Sequence, residues 1–280
     1  MLPNFVVIGA ARSGTTYLYH NLISHPQIFM SLKKETQFFT SNWDKGFEWY
    51  ATWFEGITKE TMVGEASMTY TYPEYATVAP ARLAEHLPDA RLIYLVRNPV
   101  VRTFSHYNYY RHYSGVETDD FPTALKKNSI YLGTSMYVEW LEKYLQYFSK
   151  DKILVVVFEE LTANPQAEMA KIFNFLGVDP SFVSPHLTTK TNQTFKPKNE
   201  GLFQMYRYLS ASSVRTWLES FIPNSLRPHL RNLVRKVFGT KENTPKLDPE
   251  TELYLINHFE PEIKRLEIYL GRNLDVLRTQ

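Results

Sequence analysis

The chain has 280 residues, of which 44% are hydrophobic, and a formal net charge of +2. A chain of this size can bury about three quarters of its unfolded surface, which argues against disorder and for a single domain over residues 1–280. The small net charge gives no indication of nucleic-acid binding. The absence of cysteine excludes disulfides, cysteine nucleophiles and thiolate metal sites, and it fits a reducing compartment.

The N-terminal sequence MLPNFVVIG enters an apolar run at once. It has no basic region, no long apolar stretch and no small-residue cleavage site of the kind that secretory signals carry. Nowhere along the chain do about 18 uncharged apolar residues follow one another. We therefore expect a soluble, cytoplasmic protein.

Short apolar runs rich in β-branched residues predict the strands of a buried parallel sheet. They lie at Phe5–Ile8, Arg91–Val96 and Lys152–Phe158, with a weaker run at Met62–Ala66. Because a helical pattern follows each of the first three runs, the order is that of a doubly wound α/β fold. The sequence therefore predicts a P-loop-like doubly wound parallel sheet flanked by helices.

Two later helices have recognisable ends. Asn164 stands before a proline and predicts the N-cap of a helix over 165–177, and Asp248 does the same for a final helix over 249–271. Both segments end in glycine, the residue that favours the left-handed conformation at a helix end.

Beyond an α/β core over residues 1–185, the strand pattern stops and a helical C-terminal region, 186–280, is expected. Ten Lys and Arg but only two acidic residues lie between Leu187 and Lys241, which suits either an anionic substrate or a solvated helical face. Within this tract, an apolar stripe is typical of core or lid packing, and a membrane-surface helix is the alternative. The stripe consists of Leu226, Leu230, Leu233, Val234, Val237 and Phe238.

The sequence VIGAARSGTT, residues 7–16, has the glycine spacing of a phosphate-binding loop between a strand and a helix. Backbone N–H groups and the positive end of the helix dipole would converge on a phosphate there, and Thr15 and Thr16 add hydroxyl donors. The lysine that follows the second glycine in nucleotide-hydrolysing loops is missing, and the cation is Arg12 instead. This disfavours ATP or GTP hydrolysis; the alternative is a strand-to-helix turn without a ligand.

Two further segments carry candidate site residues. In KKETQFF, Glu35 stands between lysines and an aromatic pair, where partial desolvation favours a general base; otherwise it is the surface partner of a lysine. In RLIYLVRNPVVRTFSHYNYYR, the strand delivers Arg97 to the ligand-binding end of the sheet, and Ser105 follows on the next helix. Arg97 and Ser105 together could bind a second phosphate, although Arg97 could equally form a structural ion pair.

These segments, in this order, resemble the sulfotransferases that use 3′-phosphoadenosine 5′-phosphosulfate as donor. The similarity is closest to the heparan sulfate N-sulfotransferase and 3-O-sulfotransferase branch and its bacterial relatives. ARSGTT matches the family's 5′-phosphosulfate loop P-K-x-G-T-T, ETQFF matches its base-bearing segment, and SMYVEWLEKYLQYF matches its tyrosine-containing stretch. The resemblance covers roughly Phe5 to Val178.

The resemblance implies a set of site residues and no metal. Glu35 and Arg12 would be catalytic, with Glu35 as the base. The donor would be bound by Arg12, Ser13, Gly14, Thr15, Thr16, Arg97, Ser105 and Tyr137.

Departures from the family pattern are also visible. Ala66 stands where the heparan enzymes carry a lysine, which leaves the acceptor open. The family's later nucleotide loop has no clean counterpart, and KPKNEGLF is its expected replacement, with Lys196 and Lys198 closing on the nucleotide phosphates. Arg12 keeps the positive charge of the usual lysine but cannot donate a proton at ordinary pH.

The activity that follows from the resemblance is in-line sulfuryl transfer to a hydroxyl or amine of a carbohydrate or glycolipid. His106, next to Ser105, is the alternative base. A P-loop kinase-like phosphotransferase and a catalytically silent nucleotide- or glycan-binding module remain the alternative functions. Peripheral membrane contact through the basic C-terminal helices is a further expectation to test.

Overall fold

Five parallel strands form the central sheet of the computed structural model, which describes residues 2–188, 196–197, 239–240 and 246–278. The strands are β1 Phe5–Gly9, β2 Ile28–Met30, β3 Met62–Ala66, β4 Arg91–Val96 and β5 Ile153–Val157. They lie side by side in the order β2-β3-β1-β4-β5. The loops that follow β3, β1 and β4 therefore meet at one edge of the sheet, where ligands bind in open α/β folds.

The predicted α/β fold with a parallel sheet is confirmed, and all four predicted strands are present. Every residue of β1 and β3 is buried; β1 is accordingly a continuous apolar run rather than an alternating one, whereas β3 contains one charged residue, Glu65. The strand that the sequence did not reveal is β2, which has only three residues and so no readable period. Outside this sheet, Lys196–Pro197 and Gly239–Thr240 form a short antiparallel pair.

Helices cover both faces of the sheet. In chain order, they are α1 Thr15–Ile23, α2 Gly46–Ala51, α3 Val78–His86, α4 Pro99–Asn108, α5 Phe121–Lys127, α6 Ile130–Gly133, α7 Tyr137–Leu145, α8 Phe158–Ala163, α9 Pro165–Leu176 and α10 Pro249–Leu270. Because side chains alternate along a strand, Phe5 and Val7 pack in one core with α1 and α9. Val6 and Ile8 pack in the opposite core with α3, α7 and α10.

The ends of the two predicted late helices differ in how they are capped. The side chain of Asp248 accepts a hydrogen bond from the Thr251 N–H (2.9 Å), as an N-cap should. Asn164 is the N-cap residue of α9 and Pro165 its first helical residue, as predicted, but the Asn164 side chain makes no capping hydrogen bond at this junction between α8 and α9. Both helices end as expected, at Gly177 and Gly271 in the left-handed conformation.

Part of the C-terminal prediction lies outside the described residues. This applies to the apolar stripe from Leu226 to Phe238, to most of the basic tract and to Lys198. Of Lys196, only the strand it belongs to is described. Among the described helices, none combines the length and apolar character needed to cross a bilayer.

Candidate functional site

Three predicted motifs come together at the carboxyl edge of the sheet. The loop containing Arg12 follows β1, and Arg97 directly follows β4, the neighbouring strand. Glu35 reaches the same edge from the other side, because its N–H donates to the carbonyl oxygen of Ala66 at the end of β3 (3.0 Å). Segments that are far apart in the chain thus share one site.

The loop between β1 and α1 has the shape of an anion cradle. Gly14 precedes α1 with a φ of 91°, and a Cβ at this position would lie 2.3 Å from the ring of Phe158, so only glycine fits. No side chain caps the first turn of α1, and that turn contains no acidic residue. The positive end of the helix is therefore available to an anion, as a phosphate-binding role requires.

Ser13 and the two threonines play different parts in this loop. The N–H of Ser13 donates to the carbonyl oxygen of Ala10 (3.1 Å), and its side chain is completely buried. Ser13 therefore shapes the turn. Thr15 and Thr16 begin α1, with Thr15 buried and Thr16 partly exposed, which leaves Thr16 the more accessible hydroxyl.

The structure joins the two predicted phosphate motifs through their arginines. Arg12 donates from Nε to the Ser105 hydroxyl (3.1 Å), and Arg97 donates from Nη1 to the carbonyl oxygen of Arg12 (3.1 Å). The ring of Tyr109 lies beside the Arg12 guanidinium, with 5.1 Å between Cζ and the ring centroid. Two guanidinium groups and one hydroxyl are thus linked to one another and to the loop by hydrogen bonds, and cationic groups held in this way are suited to binding anionic groups such as phosphates.

Arg97 is held from two directions. Its guanidinium lies over the ring of Phe158, at 5.0 Å, and burial lowers its pKa, while the carboxylate of Glu159 opposes that effect. The fully buried hydroxyl of Tyr137 donates to the Arg97 carbonyl oxygen (2.7 Å) and accepts from the Arg97 N–H (3.3 Å). Tyr137 therefore fixes the backbone from which Arg97 extends, and its hydroxyl is already engaged there.

Glu35 lies in a loop and has a φ of 62°. One carboxylate oxygen accepts the Met68 N–H (2.8 Å), and the other pairs with the ammonium group of Lys34. The lysine partner that the sequence offered as an alternative is thus present, but the same carboxylate lies at the sheet edge with 20% of its side chain exposed. An ordered, accessible carboxylate in this position can accept a proton.

His106, the alternative base, is enclosed in the interior. Its Nδ1 lies 3.1 Å from a guanidinium nitrogen of Arg102, and its Nε2 lies 3.4 Å from the Tyr72 hydroxyl. Burial, followed by the charges of Arg102 and Arg12, lowers the pKa of His106 well below its usual range. With both ring nitrogens engaged and only 1% of the residue exposed, the geometry favours Glu35 as the base.

Arg102 is a functional candidate that the sequence analysis missed. It is completely buried, and its guanidinium donates to the carbonyl oxygen of Ala11 in the phosphate loop (3.4 Å). Burial lowers its pKa to about 10, so it remains charged at neutral pH. The sequence feature that could have indicated Arg102 is its position four residues before His106, on the same face of α4.

In the described ranges, no group of three or more His, Asp and Glu side chains could hold a metal ion.

Comparison with known proteins agrees with this geometry. The Sulfotransferase domain family matches residues 2–246. The chain belongs to this family. The resemblance to sulfotransferases that the motifs predicted is thereby confirmed.

Two relatives show how far the similarity to this family extends. The bifunctional heparan sulfate N-deacetylase/N-sulfotransferase 4 of Mus musculus is 31% identical over 225 residues, which are 70% of this chain and 24% of that protein. The heparan sulfate glucosamine 3-O-sulfotransferase 6 of Mus musculus is 28% identical over 209 residues, which are 69% of this chain and 57% of that protein. This sulfotransferase-family chain therefore spans only a part of the relatives' length.

A solved structure has the same fold as this chain. The crystal structure of a sulfotransferase from Alicyclobacillus acidocaldarius superposes with a TM-score of 0.72 and covers 100% of both chains. The sequence identity is 23%, so the likeness concerns the fold alone.

Proposed function

We propose that this member of the sulfotransferase family transfers a sulfuryl group from 3′-phosphoadenosine 5′-phosphosulfate to a hydroxyl or amine of a carbohydrate or glycolipid. The observation that carries the proposal is the joining of Arg12, Arg97 and Ser105 by hydrogen bonds beside an uncapped helix N-terminus, with Glu35 bound to the end of the neighbouring strand β3. The names of the relatives, which act on heparan sulfate, support a carbohydrate acceptor.

The donor would be held at its two ends by different parts of the site. The first-turn amides of α1, Arg12 and the hydroxyls of Thr15 and Thr16 suit the 5′-phosphosulfate. Arg97 and Ser105 suit the 3′-phosphate, since an arginine can give a phosphate two parallel hydrogen bonds. The contact between Arg12 and Ser105 links these two halves.

In the transfer step, Glu35 would accept the proton of the acceptor group while the acceptor oxygen or nitrogen bonds to sulfur. The bond between sulfur and the 5′-phosphate oxygen breaks, and Arg12 with the helix N-terminus stabilises the charge left on that phosphate. The protein's contribution is mainly the alignment of the reactants and the neutralisation of charge.

Donor binding can be tested with the product nucleotide, adenosine 3′,5′-bisphosphate. At about 100 times its dissociation constant, the nucleotide should stabilise the protein by about 2.7 kcal/mol and raise the melting temperature by roughly 5 °C. Replacing Arg97 by alanine should remove most of this shift. Thermal denaturation with and without the nucleotide gives the measurement.

Arg265→Ala is the matched control for that experiment. Arg265 lies on α10 and pairs with Glu142 and Glu262, so its loss should lower the melting temperature but leave the ligand-induced shift intact. An unchanged melting curve for the wild type would rule out the donor site. If the labelled donor binds but its sulfuryl group is transferred to no member of a panel of heparan sulfate, N-desulfated heparan sulfate and glycolipids, the result would favour the silent binding module.

Tyr137→Phe should weaken nucleotide binding without removing any group that touches the ligand. The loss of one buried hydroxyl that holds Arg97 costs about 1 kcal/mol, which corresponds to roughly a fivefold lower affinity. Tyr144→Phe is the control, because Tyr144 lies on the same helix, is equally buried and donates to the Tyr70 carbonyl oxygen instead (2.9 Å). Isothermal titration should show reduced affinity for the first variant alone; equal affinities would contradict the role of Tyr137.

A further inference from the structure

A buried carboxylate with no role in the mechanism above lies at the end of β3. Glu65 is completely buried, and its partners are four hydroxyl groups. One oxygen accepts from Tyr50 (3.0 Å) and Tyr70 (2.5 Å), and the other accepts from Ser67 (2.9 Å) and Thr36. Burial raises the pKa of Glu65, while the hydroxyl donors oppose this effect. Burying a carboxylate is unfavourable in free energy, so its presence here indicates a structural or functional role.

The role of Glu65 is indicated by the loop that contains Glu35. Glu35 and Gln37 both have positive φ angles, 62° and 52°, in a region that non-glycine residues rarely occupy. Each such residue costs on the order of 1 kcal/mol or more, and the conformation persists only where the surroundings impose it. Thr36, between them, is completely buried and is the point at which the loop is attached to the interior.

The carboxylate reaches the loop through three hydroxyl groups. It binds the hydroxyl of Thr36 directly. The hydroxyl of Ser67 accepts the N–H of Gln37 (2.9 Å), and the hydroxyl of Tyr70 accepts the N–H of Phe39 (3.3 Å). Each of these three hydroxyls donates its hydrogen to the carboxylate. The oxygen atoms of Ser67 and Tyr70 are thereby oriented to accept N–H groups of the loop, and Thr36, a residue of the loop, is bound to the carboxylate itself.

We propose that Glu65 is a positioning residue for the base, which holds the strained loop so that Glu35 faces the acceptor. The proposal rests on the proposed function, in which Glu35 takes the proton. The backbone N–H of Glu35 is bound to the end of β3 and its carboxylate to the Met68 N–H. Release of the loop from Glu65 leaves only these two bonds to hold Glu35 against the strain of its backbone, so the position of the base becomes less well defined.

The chemistry of the site explains why a glutamate is required. An ionised carboxylate is a pure acceptor with about four lone-pair positions, which match the four hydroxyl donors. Glutamine has nearly the same shape, but its amide nitrogen is a donor, so two of the hydroxyls lose their acceptor. Glu65→Gln should therefore loosen the loop while leaving the volume of the core unchanged.

Glu65→Gln should lower kcat by about 10- to 100-fold, since a small displacement of a reacting group can cost about 100-fold. The affinity for adenosine 3′,5′-bisphosphate should stay within about twofold, because the phosphate motifs lie on β1 and β4. The rate is measured with labelled donor and the member of the acceptor panel that takes up most label. Hydrogen–deuterium exchange of residues 34–39 provides a second readout that needs no acceptor, and it should become faster.

Glu262→Gln is the control, because Glu262 is another buried glutamate, which accepts the Val138 N–H between α7 and α10. It should lower stability but leave kcat and the exchange of residues 34–39 unchanged. If Glu65→Gln does not fold, Ser67→Ala removes the link to Gln37 together with one hydroxyl donor to Glu65, and it should lower kcat by about threefold or more. Unchanged kcat and exchange in a folded variant would overturn the proposal.

A double variant separates this proposal from the proposed function. If Glu65 acts through Glu35, adding Glu65→Gln to Glu35→Gln should cause no further loss of rate. If the two losses multiply, Glu65 acts independently of the base and the positioning role is wrong. Full activity of Glu35→Gln alone would instead show that the base is assigned wrongly.

Discussion

Glu35→Gln should lower the rate of sulfuryl transfer by about 100- to 10,000-fold, the range that a general base contributes. The amide oxygen can still accept the Met68 N–H that holds the carboxylate in place, and the side chain keeps its size. What the variant loses is the ability to take a proton from the acceptor. We therefore expect the loss in kcat, with the affinity for adenosine 3′,5′-bisphosphate nearly unchanged.

Glu142→Gln is the control for this variant, because it makes the same chemical change on α7, where Glu142 is 58% exposed and pairs with Arg265. Initial rates with labelled donor should be the same for the control and the wild type. A Glu35→Gln rate within about threefold of the wild type would contradict the role of Glu35 as the base, even if the protein binds the nucleotide normally.

Arg12→Met should lower kcat by about 100- to 1,000-fold, as the loss of one group that stabilises transition-state charge does in other enzymes. Methionine keeps an unbranched apolar stem beside Tyr109 and meets the same backbone requirement, a φ of 68°. The difference between the two side chains is then the guanidinium charge and its hydrogen bonds. The reduced rate should appear at saturating donor.

Arg12→Lys is the informative partner of that variant. Lysine restores the positive charge near the leaving phosphate, so most of the rate should return. It cannot reproduce the planar guanidinium that donates from Nε to Ser105, and the nucleotide affinity should therefore fall by several-fold. Equal rates for the methionine and lysine variants would show that the charge at position 12 does not take part in the transfer.

Together, the Glu35 and Arg12 variants distinguish the alternatives that the sequence left open. A silent binding module would lose nucleotide affinity in the Arg12 variants but would show no transfer in the wild type. A kinase-like phosphotransferase would turn over ATP with magnesium and ignore the sulfuryl donor. Sulfuryl transfer that needs both residues, one for the proton and one for charge, would fit neither alternative.

Much of the fold could be predicted because it is encoded in local patterns. The strands β1, β4 and β5 are predominantly apolar runs, and the two late helices begin with proline and end at a glycine. These patterns depend on neighbouring residues and can be read without the tertiary structure. The three-residue strand β2 and the lack of a side-chain capping hydrogen bond at Asn164 escaped prediction because each depends on what packs beside it.

In the candidate site, too, some features follow from local sequence patterns and others from tertiary contacts. The residue types that suit the binding of a sulfuryl donor can be read from the chain alone: a glycine loop with Arg12, an acidic residue at Glu35, and Arg97 after a buried strand. Only folding brings Arg12 and Ser105 into contact, because they are 93 positions apart in the chain. It also decided the roles of Tyr137 and Glu65, since a buried hydroxyl or carboxylate takes its function from the partners that folding brings to it.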